Sequence, residues 1–206
     1  MTRGDADPTE ACEAFWRNGY HVFEGLASPS QVALMARGME VAESRGDLLD
    51  QTYSSASDAV GAYGPVPGEM LLRHCRSRVE AVLGRELIEN YSYWRRYNRG
   101  SVLRPHKDRT GCEITVTVTI DTPGGGKSWP IWLVDLEGST RAIDLPPGAG
   151  LAMLGSQLLH WREPLAAAWQ KQLFLHYVVK DGEFADYAHD TVSYTHLRAH
   201  ETGRNL

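Results

Sequence analysis

The sequence predicts an α+β protein with a helical front (residues 1–87), a β-rich back (88–180) and a jelly roll at its centre. Three observations carry this. Capped apolar segments fill the first third of the chain. From Glu89 onward the hydrophobic pattern switches to a period of two, which is the signature of strands with distinct faces. About eight short β-like runs then follow one another, separated by Gly, Pro and Asp turns, a spacing that argues for a sandwich or barrel. The bulk numbers agree: 206 residues, 42% hydrophobic and 23% charged, suit one soluble unit with a substantial core, read here as residues 1–190.

The front opens on "DPTE", with Asp7 as N-cap, Pro8 at the first helical position and Asn18-Gly19 as the stop. "SPSQ" repeats the logic, Ser28 capping and Gln31 completing a capping box. Between the two, "YHVFEGL" reads as a short strand. A third helix is expected from about Pro67 to Leu83, ended by Gly84. Residues 46–66 show no periodicity and read as a long surface connection, of a length that also suits a lid or binding loop.

In the back, "ENYSYWRRYN" sets Tyr91, Tyr93, Arg95 and Tyr97 on one face and Ser92, Trp94 and Arg96 on the other. "CEITVTVTI" alternates Glu113, Thr115, Thr117 and Thr119 against Cys112, Ile114, Val116, Val118 and Ile120. Further strands are expected in "SWPIWLV", "TRAIDL", "GLAML", "SQLLHW" and "KQLFLHYVV". The end of the chain, "VSYTHLRAHETGRNL", resembles translated sequencing-adapter read-through at the ends of metagenomic open reading frames. Residues 191–206 are therefore treated as a non-native tail and given no functional weight.

Composition also excludes classes. A net charge of −5 gives no general reason to expect nucleic acid. No apolar run approaches a membrane span, and the N-terminus lacks a signal-peptide apolar region. The three cysteines, Cys12, Cys75 and Cys112, have no metal-type spacing and read as reduced thiols of a cytoplasmic protein. "DTPGGGKSW" fails as a phosphate loop, because Asp121 stands where the first Gly is required and strand-like sequence follows Lys127-Ser128.

The chemistry concentrates in "RPHKDRTG". His106 and Asp108 are two residues apart at a strand end, where side chains i and i+2 project to the same side. A distant histidine completing the set gives a facial triad with open coordination positions. His160, in "GSQLLHWREP", is the best third ligand. His21, His74 and His189 are weaker, and His176, mid-strand in "FLHYV", reads as a satisfied core or surface histidine.

These residues carry a resemblance. "YNRGSVLRPHKD" (Tyr97, Gly100, His106, Asp108), the Thr-rich strand, "LPPGAGLAML" and "LLHWREP…QKQLFLHYV" occur in an order similar to the double-stranded β-helix core of Fe(II)/2-oxoglutarate-dependent dioxygenases. The closest flavour is the prolyl-4-hydroxylase-like branch, and the likeness spans Tyr91 to Val179. It implies Fe(II) held by His106, Asp108 and His160, and a cationic anchor for the far carboxylate of 2-oxoglutarate. Lys171, eleven residues after His160, is the first choice for that anchor; Arg162 is the rival. Tyr97 matches a position that hydrogen-bonds the cosubstrate. Tyr91, Tyr93, Arg95, Arg109 and Trp161 are candidate substrate contacts. The implied reaction consumes O₂, splits 2-oxoglutarate to succinate and CO₂, and hydroxylates a polar small molecule or peptide side chain; the presence of Asp108 favours hydroxylation over halogenation. Two alternatives stay open: a non-catalytic, metal-binding cupin-like sensor, and an enzyme using another metal without 2-oxoglutarate.

Overall fold

A computed structural model describes residues 8–50, 56–125 and 129–188. Asp7, Lys127, Ser128, His189 and the 191–206 tail, all read above, lie outside the described residues. Three helices, α1 (Pro8–Asn18), α2 (Pro29–Arg45) and α3 (Val66–Leu83), accompany eleven strands among the described residues. The local signals act as their chemistry requires. Ser28 accepts from the Gln31 N–H while Gln31 bonds back to the Ser28 N–H. Gly84 ends α3 in the left-handed conformation that a Cβ would strain.

A seven-stranded antiparallel sheet runs in the order β1 (Tyr20–Phe23), β9 (Gly150–Leu154), β6 (Ile114–Asp121), β11 (Trp169–Val179), β4 (Leu87–Asn98), β3 (Ala59–Tyr63), β2 (Leu49–Asp50). A four-stranded sheet faces it: β5 (Leu103–His106), β10 (His160–Arg162), β7 (Ile131–Val134), β8 (Thr140–Ile143). Long antiparallel pairings of β11 with both β4 and β6 set the register of the larger sheet. Its outer face joins the helices in one apolar core, where Ile114, Val116, Val118, Leu173 and Leu175 pack with Met35, Met39, Leu71, Leu72 and Val79. Its inner face lines the space between the sheets.

Four sequence expectations change. Residues 46–66 are not a plain connection, because β2 and β3 extend the larger sheet. The pattern hid β3: its cavity-side residues Ala59 and Gly61 must be small, since they sit opposite Tyr97 and Arg95. A Cβ on Gly61 would overlap the Tyr93 hydroxyl. The helical front also gives β1, β2 and β3 to the same sheet as the back. "SQLLHW" contributes only His160 and Trp161 to a strand that ends at Arg162, residues 155–159 being spent on a turn closed by Gln157 and Leu158 N–H bonds to the Leu154 carbonyl. Cys112 lies in a short 3₁₀ turn and faces the cavity instead of sharing the side of Ile114 and Val116.

Candidate metal centre and cavity

A cavity of about 250 Å³ opens between the two sheets. Its walls come from alternate residues of three adjacent strands: Tyr91, Tyr93, Arg95 and Tyr97 of β4, Thr115 and Thr117 of β6, Phe174 and His176 of β11. His106, Asp108, Arg109 and His160 stand at one end. The period-two reading of β4 therefore holds, and its Tyr/Arg face is interior.

His106 ends β5 and is the direct cross-strand partner of His160 on β10. Antiparallel pairing thus joins histidines 54 residues apart, with ring centroids 4.3 Å from each other. Asp108 lies just beyond β5, so strand alternation does not position it. Its N–H bonds the Gly155 carbonyl at 2.9 Å, and its Oδ2 accepts from Thr115 Oγ1 at 2.6 Å. Oδ1 is left 3.6 Å from His106 Nε2 and 3.7 Å from His160 Nε2. The ligand atoms of the three residues lie within 4.8 Å of one another.

The proton arrangement favours a cation. His106 Nδ1 lies 2.8 Å from the Arg104 carbonyl and His160 Nδ1 3.0 Å from the Leu158 carbonyl. A carbonyl only accepts, so each Nδ1 carries the hydrogen and each Nε2, the atom nearer Asp108, is the one that can ligate. Burial, followed by the neighbouring His160, holds the His106 imidazole below its ordinary pKa, which keeps it neutral and able to ligate. Two imidazoles and one carboxylate without thiolates suit a 2-His-1-carboxylate iron site.

Behind the triad lies a layer that sequence reasoning missed. A Cβ on Gly155 would come within 2.5 Å of Thr115 Oγ1 and 2.6 Å of Asp108 Oδ2, so only glycine admits that pair. His176 is buried, but it is not simply a satisfied core or surface histidine: it lines the cavity, its Nδ1 3.1 Å from Thr115 Oγ1 and its ring 4.6 Å from Tyr91. Burial pulls its pKa down to about 4. The available signal was alternation along β11, which aligns Gln172, Phe174 and His176.

Two arginines, Arg95 lining the other end of the cavity and Arg162 outside its lining, are buried without a carboxylate partner among the described residues. Arg95 lies across Tyr93, Tyr97 and Phe174, its Cζ 4.9–5.8 Å from the ring centroids, and donates from Nη1 to the Tyr97 hydroxyl at 3.3 Å; its Nε has no partner among the described residues. Arg162 donates from Nη1 to the Trp129 carbonyl and covers the Trp129 ring, while its Nη2 is unpartnered. Burial lowers Arg162 to about 10, so it is still a cation at neutral pH. Buried charges left without a counterion are costly, and an anion in this end of the cavity would relieve Arg95, which lines it.

Lys171 does not reach the cavity. It pairs across the sheet with Arg96, and that face turns to α2: Lys171 Nζ meets Glu40 at 3.5 Å and Asp121 at 3.7 Å, and Arg96 meets Glu43 at 3.2 Å. The β11 residue aligned with the cavity at this level is Gln170, opposite Tyr97. Trp161 also lies outside, its ring stacked on Trp132 and its Nε1 donating to Glu163. Arg109 lines the cavity and donates to the Tyr91 hydroxyl at 3.0 Å. Tyr63, from the 46–66 stretch, lines it too.

No family profile and no curated protein matches the chain in sequence. Solved structures do. A Pseudomonas putida prolyl-4-hydroxylase aligns with a TM-score of 0.67 at 12% identity, over 83% of this chain and 98% of that one. A Trichoplax adhaerens prolyl hydroxylase in complex with a hypoxia-inducible-factor peptide aligns at 0.69 and 14%, over 87% and 91%. HygX from Streptomyces hygroscopicus, with nickel, 2-oxoglutarate and hygromycin B bound, aligns at 0.65 and 14%, over 88% of each chain. With its helices outside a seven- and a four-stranded sheet, the chain has the double-stranded β-helix fold these proteins share.

Proposed function

We propose that the protein is an Fe(II)- and 2-oxoglutarate-dependent oxygenase that hydroxylates a polar small molecule or a peptide side chain. The observation that carries this is the pairing of two features in one cavity: the His106–Asp108–His160 cluster at one end and, at the other, Arg95, which has no carboxylate partner among the described residues. The first fits Fe(II), which when bound supplies the activation of O₂. The second fits the far carboxylate of 2-oxoglutarate. Arg95, with Tyr97 beside it, is the assigned anchor, because it lines the cavity and its planar guanidinium suits a carboxylate. Arg162 supports that end from behind the Tyr97 and Trp129 rings, whose centroids are 4.9 Å apart.

The remaining residues bind and orient. Tyr63, Tyr91, Tyr93 and Phe174 form an aromatic wall, and Arg109 offers a cation beside the metal-binding end. Two of the similar structures hold a hypoxia-inducible-factor peptide and hygromycin B, which supports a peptide or small-molecule substrate here. The test is anaerobic: purified protein receives Fe(II), then 2-oxoglutarate, and the weak visible charge-transfer band of the chelate is recorded. The band is expected in wild type and absent in Asp108→Ala and His160→Ala. Folded, iron-loaded protein without the band would favour the sensor or other-metal readings instead.

A further inference from the structure

The Asp108 carboxylate is held by a chain of groups whose protons can be assigned from chemistry alone. A carboxylate only accepts, so the 2.6 Å contact with Thr115 takes the hydroxyl's single proton. The Cys112 carbonyl, 3.3 Å from the same oxygen, is the weaker competitor for it. Thr115 Oγ1 then has only lone pairs to offer His176 Nδ1 at 3.1 Å, so Nδ1 must carry the hydrogen. His176 Nε2 is thereby left as an acceptor, with no hydrogen-bond partner among the described residues, in a ring that lines the cavity between Tyr91 and Phe174.

We propose that His176 and Thr115 are positioning residues that fix Asp108 as a one-oxygen ligand through Oδ1, and that His176 Nε2 presents the cavity with an acceptor for a substrate hydroxyl, amine or amide N–H. Holding Oδ2 in a hydrogen bond denies it to the cation, which leaves the Oδ1 edge facing both histidines. Gly155 provides the space: a side chain there would drive Thr115 and Asp108 apart. One chain of contacts therefore links the cavity wall at His176 to a metal ligand, and the position of Asp108 depends on which nitrogen of His176 carries the proton. This role rests on the metal reading given above.

The test uses full-length protein with Co(II) alone as the metal probe, and ¹⁵N-histidine labelling without metal. Thr115→Val, nearly isosteric, is expected to weaken Co(II) about 10- to 100-fold, the usual cost of losing a group that orients a metal ligand. Its visible d–d spectrum should change, while Thr115→Ser restores both affinity and spectrum. In metal-free wild type, His176 should show a pyrrole-type Nδ1 and a pyridine-type Nε2. A Thr115→Val protein with wild-type Co(II) affinity and spectrum would overturn the positioning role. A protonated Nε2 in wild type would overturn the proton chain whether or not any variant folds. Wild type that binds no Co(II) at Asp108 would remove the metal site itself, an outcome distinguishable from either of these.

Discussion

The two faces of the large sheet are equally dry and differently built. Toward the helices, β4, β6 and β11 present Trp94, Ile114, Val116, Val118, Leu173 and Leu175, all buried in the apolar core. Toward the cavity the same strands present Tyr91, Tyr93, Arg95, Thr115, Thr117, Gln172 and His176, also nearly inaccessible. Burial alone cannot tell a core from a site. The balance of hydrogen bonds is the better guide: among the described residues the Tyr93 hydroxyl, Arg95 Nε and Gln170 Oε1 lack a partner on the cavity side, against Trp94 Nε1 on the helix side. A folded protein leaves few such groups unsatisfied, and a cluster of them facing one cavity marks a place for a ligand.

The contrast is open to direct test. The largest effect is expected on the helix face. Leu173→Ala, at a fully buried position, should cost about 2–5 kcal/mol of stability in denaturant melts while leaving 2-oxoglutarate affinity per folded molecule unchanged. On the cavity face, Arg95→Met should do the reverse. Truncating one side of a buried charge pair costs about 2–5 kcal/mol, so titration of the chelate band should show 2-oxoglutarate affinity about 30-fold weaker or worse. Ligand-free Arg95→Met should melt no lower than wild type, since an unpaired buried charge has been removed. If Arg95→Met retains full affinity and Arg162→Met does not, the anchor assignment moves to Arg162.

Acid supplies the next effect. His176 titrates near 4 in the fold against 6.5 in its absence, so its contribution is present above pH 6.5 and is lost as pH falls toward 4. The shift amounts to about 3 kcal/mol, and the lowered His106 acts in the same direction. Urea midpoints of the metal-free protein should fall over that window, and His176→Phe should flatten part of the decline. The smallest effect belongs to Lys171→Ala. Its ion pairs reach the partly exposed carboxylates Glu40 and Asp121, so a stability change of about 1 kcal/mol or less and unchanged 2-oxoglutarate affinity are expected.

The site was legible in the sequence where chemistry is tied to short spacing. Tyr91, Tyr93, Arg95 and Tyr97 line the cavity because a strand sends alternate residues to one side. His106 and Asp108 were readable as a pair two residues apart and His160 as the distant histidine, although His160 starts β10 where the end of a strand was expected, and Asp108 lies beyond β5. Lys171 misled because a count from His160 carries no phase across the 163–168 connection; in the sheet Gln170, opposite Tyr97, takes the cavity side and Lys171, opposite Arg96, takes the other, and one residue of phase turns a strand side chain to the opposite face. Residues 59–63 read as loop because their small residues answer to Tyr97 and Arg95 across the sheet, not to their own chain neighbours.

Local physics thus determined the caps, the strand faces, the α+β class and the residue types able to hold a cation. Each depends on neighbours within a few residues, which the sequence displays directly. Only the tertiary structure decided that His106 and His160 are cross-strand partners, that Thr115 and His176 stand behind Asp108, and that Arg95, not Lys171, faces the cavity. Those outcomes depend on sheet register and on which face each strand turns inward, and both are set by contacts between segments 50 or more residues apart.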